Sequence, residues 1–119
     1  MSVVYPLFAL LDDRSMLVIE RPDRILYHLE AIDIENDEYL FWDATGVPVK
    51  VTILKNKVAD VSECAPKLPL RDAFVSYLET LDLPPTLAAG APTEVWNRIQ
   101  QELEKRPKKS SWFAKLFTR

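Results

Sequence analysis

Hydrophobic and polar residues change their period once along this chain, and the change divides it into two regions. In roughly the first sixty residues, short apolar runs rich in β-branched and aromatic side chains are separated by turn sequences. The runs are Val3–Leu11, Met16–Glu20, Ala31–Glu35, Tyr39–Trp42, Val47–Leu54 and Val58–Val61. Because the runs are short and closely spaced, they predict an antiparallel β-meander of about five or six strands over residues 3–62.

Two local sequences in this region predict a more specific geometry. Ile25, Leu26 and Leu29 follow helical spacing after Pro22, which predicts a short helix of about two turns. The sequence Asp43–Gly46 separates two strand-like runs and predicts a hairpin loop whose glycine takes a left-handed backbone conformation.

After Pro66 the apolar residues recur at the spacing of an α-helix. One stripe comprises Leu70, Ala73, Phe74, Tyr77, Leu78 and Leu81. It predicts an amphipathic helix over residues 69–82, which the prolines Pro84 and Pro85 end. We expect this apolar stripe to pack on the sheet.

A second amphipathic helix is predicted over residues 93–105. Thr93 is a favourable N-cap, and Glu94 and Arg98 have the i, i+4 spacing of an ion pair. The apolar stripe of this helix comprises Val95, Trp96, Ile99 and Leu103. Sheet and helices together predict a single α+β domain over residues 1–104.

The charges of the chain are divided unevenly between this domain and the last fifteen residues. Residues 105–119 contain six of the fifteen basic residues and no acidic residue, a net charge of +6. The domain contains the other nine basic residues and all eighteen acidic ones, a net charge of −9. The C-terminal segment therefore differs from the domain in its electrostatics.

The C-terminal segment also carries four large apolar side chains. If residues 112–117 are helical, Trp112, Phe113, Leu116 and Phe117 fall within an arc of about 140°, and Lys115 lies outside it. The pattern predicts a short basic amphipathic helix with three possible docking places: its own domain, a partner protein or an anionic membrane surface.

A second charged group is acidic and lies between residues 30 and 43. Its carboxylates belong to Glu30, Asp33, Glu35, Asp37, Glu38 and Asp43. An EF-hand calcium loop is excluded because no glycine provides its sharp turn and the isoleucines alternate with the acids as in a strand. We expect a solvated acidic face, with Asp33, Glu35 and Asp37 as candidate residues for binding a basic partner or the protein's own C-terminal segment.

Sites of other kinds find little support in the sequence. With two glycines there is no phosphate-binding loop, and one histidine with one cysteine cannot supply a zinc site. His28 and Cys64 are not placed together by any motif, so no catalytic residue, cofactor or metal is predicted. Single-stranded nucleic acid would need a basic sheet face, whereas the strand region is acidic.

The sequence therefore predicts a small cytoplasmic, non-enzymatic interaction protein. The single cysteine and the absence of a basic flank before Val3–Leu11 favour a cytoplasmic protein without a signal peptide. The partner is expected to be another protein, bound through the acidic face or the basic aromatic segment. Two alternatives stay open: a peripheral membrane protein anchored by residues 108–119, and an enzyme with a carboxylate-lined pocket.

Overall fold

The computed structural model describes residues 3–106, which form a five-stranded antiparallel sheet and four helices. The strands are β1 (Leu7–Leu10), β2 (Met16–Ile19), β3 (Leu40–Trp42), β4 (Pro48–Leu54) and β5 (Lys57–Glu63). The helices are α1 (Ile25–His28), α2 (Ala31–Glu35), α3 (Leu70–Thr80) and α4 (Pro92–Lys105), with 3₁₀ turns at Pro22–Arg24 and Pro85–Ala88. This architecture confirms the α+β class. The predicted C-terminal helix lies outside the described residues.

Strand order is β2-β1-β3-β4-β5, and it departs from a sequential meander at one point. Strand β1 pairs on both sides, so that Phe8 lies opposite Val18 of β2 and opposite Trp42 of β3. Because α1 and α2 intervene between β2 and β3, the chain returns to the free edge of β1 instead of continuing beside β2.

The prediction of a strand over Ala31–Glu35 is wrong, because this segment is helix α2. Ile32 and Ile34 would share one face of a strand, but on a helix they are about 200° apart. Accordingly Ile34 is buried against the sheet at 4% exposure, while Ile32 is 62% exposed. A strand here would also lack a position beside β1, since both edges of β1 are already paired.

Alternating side chains of the sheet build two hydrophobic cores on opposite faces. Phe8 and Trp42 belong to the core shared with α3 and α4. Leu7, Ala9 and Phe41 belong to the core under α1 and α2. The sheet is therefore a central layer with helices on both faces, and strand β1 contributes to each core.

Helices α3 and α4 pack through an aromatic cluster. The ring of Phe8 meets Phe74 edge-on at 5.4 Å between centroids, and Tyr77 stacks on Trp96 at 6.1 Å. The predicted stripe of α3 faces the sheet, with Leu70, Ala73, Phe74 and Leu78 buried. Beyond the burial of its apolar surface, each such aromatic pair contributes about 0.5–1.5 kcal/mol to the stability of the fold.

The start of α4 differs from its prediction. The helix begins at Pro92 after Ala91, and Thr93 does not act as the N-cap. Proline suits the first helical position because its missing N–H would have no partner there. Arg98 donates hydrogen bonds to the carbonyl oxygens of Leu87 and Ala89 at 3.0 and 2.7 Å, so it holds the preceding 3₁₀ turn instead of pairing with Glu94.

Asp43 organises the β3–β4 hairpin loop and does not belong to an exposed acidic face. Its carboxylate is 4% exposed and accepts hydrogen bonds from Thr45 (N–H 2.9 Å, Oγ1 2.6 Å), from Val47 N–H at 3.1 Å and from Val4 N–H at 3.2 Å. Gly46 completes the loop at φ +90°, the left-handed conformation that was predicted. Burial by itself raises the pKa of Asp43, but these hydrogen bonds outweigh it and hold the pKa below its ordinary value.

Truncation of Phe74 tests the packing of α3. Phe74→Ala should lower the free energy of unfolding by about 3–5 kcal/mol, because a buried ring is replaced by a cavity. Chemical denaturation measures the change. Arg71→Ala, at an exposed position of the same helix, should change stability by no more than about 0.5 kcal/mol. A loss under about 1 kcal/mol for Phe74→Ala would contradict the packing described here.

Substitution of Asp43 tests the loop through its pH dependence. Since the folded-state pKa is below the unfolded one, the stabilisation is fully present above the unfolded-state pKa and is lost as pH falls through the folded-state pKa. Asp43→Asn should therefore cost about 1–3 kcal/mol at neutral pH, and the difference from wild type should shrink on acidification. Denaturation at several pH values measures this, with exposed Asp60→Asn as the control. A pH-independent difference would show that the carboxylate charge is unimportant.

Candidate functional site

Five exposed or partly exposed carboxylates at one end of the sheet form what we call the acidic surface. They are Asp12, Asp33, Glu35, Asp37 and Glu38. The pairing of β1 with β3 brings them together: Leu10 lies opposite Leu40, so the residues that follow β1 and those that precede β3 meet at the same end. Helix α2 and its connection to β3 carry the other members.

Asp33 and Asp12 lie close enough to Glu38 for their charges to act on its carboxyl group. The negative charge of Asp33 raises the pKa of Glu38 above its ordinary value, with smaller contributions from desolvation, a hydrogen bond to Asp33 and the charge of Asp12. Tyr39 Oη donates to Asp33 Oδ2 at 3.0 Å. Desolvation, this hydrogen bond and the neighbouring carboxylates raise the pKa of Tyr39 to about 12.

Within residues 3–106, the acidic surface has no basic partner. The ion pairs in this part of the chain join Arg14 to Glu79, Arg21 to Asp23 and Lys105 to Glu102. None of these pairs includes a carboxylate of the acidic surface. Its negative charge is therefore available to a basic ligand, which it would attract over about a Debye length, roughly 8 Å at physiological ionic strength.

A cleft of about 260 Å³ opens beside the acidic surface. It forms because β3 and β4 pair only at Phe41 opposite Val49 and Trp42 opposite Pro48, while β4 continues to Leu54. Its apolar lining is provided by Ile34, Leu40, Phe41, Trp42, Val51 and Leu68. The separation of the two strands thus leaves an apolar depression within the sheet layer.

The cleft and the acidic surface are continuous. Asp37 belongs to the acidic surface and also lines the cleft, as does Tyr39, whose hydroxyl is bound to the acidic surface through Asp33. Lys50 and Lys67 line the cleft as well, so its border carries both signs of charge. An apolar site with a few polar groups at its border is typical of ligand recognition.

One wall of the cleft is fixed by a buried tryptophan. Trp42 is 1% exposed, and its Nε1–H donates to the carbonyl oxygen of Leu68 at 3.0 Å. This hydrogen bond ties β3 to the segment that leads from β5 into α3. The cleft therefore has a wall that is set by the core and does not depend on a ligand.

The structure does not bring His28 and Cys64 into one cavity. His28 lies in α1, where its ring meets Tyr27 edge-on at 5.0 Å, and it borders a separate shallow depression with Asn56. Cys64 is exposed and lines the cleft. Among residues 3–106 no group of three or more His, Cys, Asp or Glu side chains could hold a metal ion, and no helix is long and apolar enough to span a membrane.

The sequence predicted some of this site and missed the rest. Asp33, Glu35 and Asp37 lie on the acidic surface. The other predicted binding residues, Trp112, Phe113, Lys115, Leu116 and Phe117, lie outside the described residues. The contribution of Asp12 was missed because it depends on the pairing of β1 with β3, and the cleft was missed because its apolar lining resembles ordinary core.

Comparisons with known protein families, with curated proteins and with solved structures find no match.

Removal of the Asp33 charge tests the electrostatics of the acidic surface. Asp33→Asn should lower the pKa of Glu38 toward its ordinary value, because the largest cause of its elevation is the charge of Asp33. The side-chain carboxyl resonance of Glu38, followed by NMR as pH is varied, measures this. Asp60→Asn, on edge strand β5, should leave the titration of Glu38 unchanged. An unchanged pKa in Asp33→Asn would mean that the two carboxylates are not in contact.

Proposed function

We propose that the protein is a non-enzymatic binding protein that recognises a short basic segment of another protein. Basic side chains of the segment lie on the acidic surface, and an apolar side chain enters the cleft. The observation that carries this proposal is the continuity of the two features through Asp37 and Tyr39. A segment with basic and apolar residues close together can contact the acidic surface and fill the cleft at the same time.

The cleft and the acidic surface have different roles in this proposal. Burial of one large apolar side chain contributes about 1.5–3 kcal/mol. Each exposed ion pair contributes only about 0.2–1 kcal/mol, and salt weakens it. The cleft therefore provides much of the affinity, while the acidic surface selects basic ligands and speeds their association.

The sign of the charge also distinguishes between classes of partner. The phosphates of nucleic acids and of anionic lipids are repelled by unpaired carboxylates, whereas the lysines and arginines of a protein segment are attracted. The acidic surface thus favours a protein partner. Membrane anchoring through residues 108–119 would use a different part of the chain.

Binding of designed peptides to the full chain tests the proposal. The probes are three labelled peptides of equal length: one with lysines and a central tryptophan, one with serine for the tryptophan, and one with glutamates for the lysines. We expect the first to bind more tightly than the second by about tenfold or more, as follows from losing the apolar contact. The third should not bind measurably. Fluorescence anisotropy, at low and raised salt, measures the affinities.

A matched pair of double variants assigns the binding to the acidic surface. Asp37→Asn/Glu38→Gln removes two carboxylate charges, and asparagine tolerates the left-handed backbone at position 37, where φ is +55°. Both doubles are made in chains that also carry Trp112→Ser/Phe113→Ser, so that the C-terminal segment does not compete for the acidic surface. In that background Asp37→Asn/Glu38→Gln should weaken binding of the lysine-tryptophan peptide about threefold to tenfold. Asp60→Asn/Glu94→Gln removes two exposed carboxylates elsewhere and should leave the affinity unchanged in the same background. Equal effects of the two doubles, or equal binding of the basic and acidic peptides, would refute the proposal.

A further inference from the structure

Helix α4 ends at the same end of the molecule as the acidic surface. The Arg106 guanidinium donates to the carbonyl oxygen of Leu81, just after α3. Arg14, in the β1–β2 turn, donates from Nη2 to Ser76 O at 3.0 Å and pairs with Glu79 at 3.5 Å. These contacts join the C-terminal ends of α3 and α4 to the turn that carries Asp12, a member of the acidic surface.

The sequence that follows Arg106 is complementary to this surface in charge. Residues 107–119 contain four basic residues and no acidic one. Residues 3–106 contain eighteen acidic and eleven basic residues, a net charge of −7. The positive segment therefore begins at the end of the molecule that carries the acidic surface.

The same segment carries the apolar side chains that the cleft would accept. Trp112 is six residues beyond Arg106, so an extended chain could place it up to about 20 Å away. Phe113 is adjacent in the sequence. A tethered segment has an effective concentration of the order of millimolar, which favours it over an external peptide of equal intrinsic affinity.

We infer that residues 107–119 are an intramolecular ligand of this site, with Lys108 and Lys109 on the acidic surface and Trp112 or Phe113 in the cleft. The inference rests on the proposed function, since it names an occupant of the same site. An external basic segment must displace the chain's own segment, so the protein binds its partner with reduced apparent affinity. With a millimolar effective concentration against an intrinsic Kd of tens of micromolar, the reduction is about tenfold to a hundredfold.

Variants of the full chain test this inference with the lysine-tryptophan peptide as probe. Trp112→Ser/Phe113→Ser and Lys108→Glu/Lys109→Glu should each bind the peptide at least about tenfold more tightly than wild type, because the internal competitor is weakened. Lys57→Glu/Arg71→Glu makes the same change of charge as the second variant at exposed positions elsewhere and should bind like wild type. Equal affinity of wild type and of both variants in residues 107–119 would overturn this inference but leave the proposed function standing. Absence of binding to all of these proteins would overturn the proposed function as well.

A second measurement identifies where the segment docks. Backbone amide resonances of Ile34, Tyr39 and Val51 should differ between wild type and Trp112→Ser/Phe113→Ser, and the differences should not depend on protein concentration. Concentration-dependent differences, with dimers in sedimentation velocity, would mean that the segment binds a second copy. Unchanged cleft resonances, together with Trp112-dependent co-sedimentation with vesicles of phosphatidylserine and phosphatidylcholine, would assign the segment to a membrane surface. Either result overturns the intramolecular reading.

Discussion

The double-sided packing of strand β1 is the constraint on which the rest of this structure depends. Leu7, Phe8 and Ala9 are all fully buried, and they alternate between the two cores. A shift of register by one residue would exchange the faces and disrupt both cores at once. Because β1 is also paired along both edges, the chain between β2 and β3 must cover a face of the sheet, and it does so as α1 and α2.

The same constraint produces the acidic surface. Once β3 is paired with β1, the turn after β1 and the connection before β3 lie at one end of the sheet, and both happen to be rich in carboxylates. The pKa of Glu38 is raised because like charges from separate parts of the sequence are held together. Their repulsion costs some stability, which the two cores offset. A basic group bound to the acidic surface would reduce this repulsion.

The cleft arises from a difference in strand length. Three residues of β3 face seven of β4, and the ladder between them ends after two pairs. Trp42 keeps the opening in place through its buried ring and its hydrogen bond to Leu68. A ligand of this site needs an apolar side chain to match the rigid apolar lining and a basic group to match the unpaired charge at its border. Residues 107–119 of the chain contain both.

Features that depend on neighbouring residues could be read from the sequence. The apolar stripe from Leu70 to Leu81 specified α3, and Gly46 specified its loop, because a helical period and a left-handed glycine are local properties. Features that depend on distant contacts could not. Whether Ala31–Glu35 forms a strand or a helix depended on its packing against the sheet, where Ile34 is buried while Ile32 is exposed. Arg98 found carbonyl partners that the i, i+4 rule does not consider. Only the tertiary structure joined Asp12 to the acidic surface, buried Asp43 in a loop and formed the cleft, because pairing between strands decides which charges become neighbours and which apolar residues line a common space.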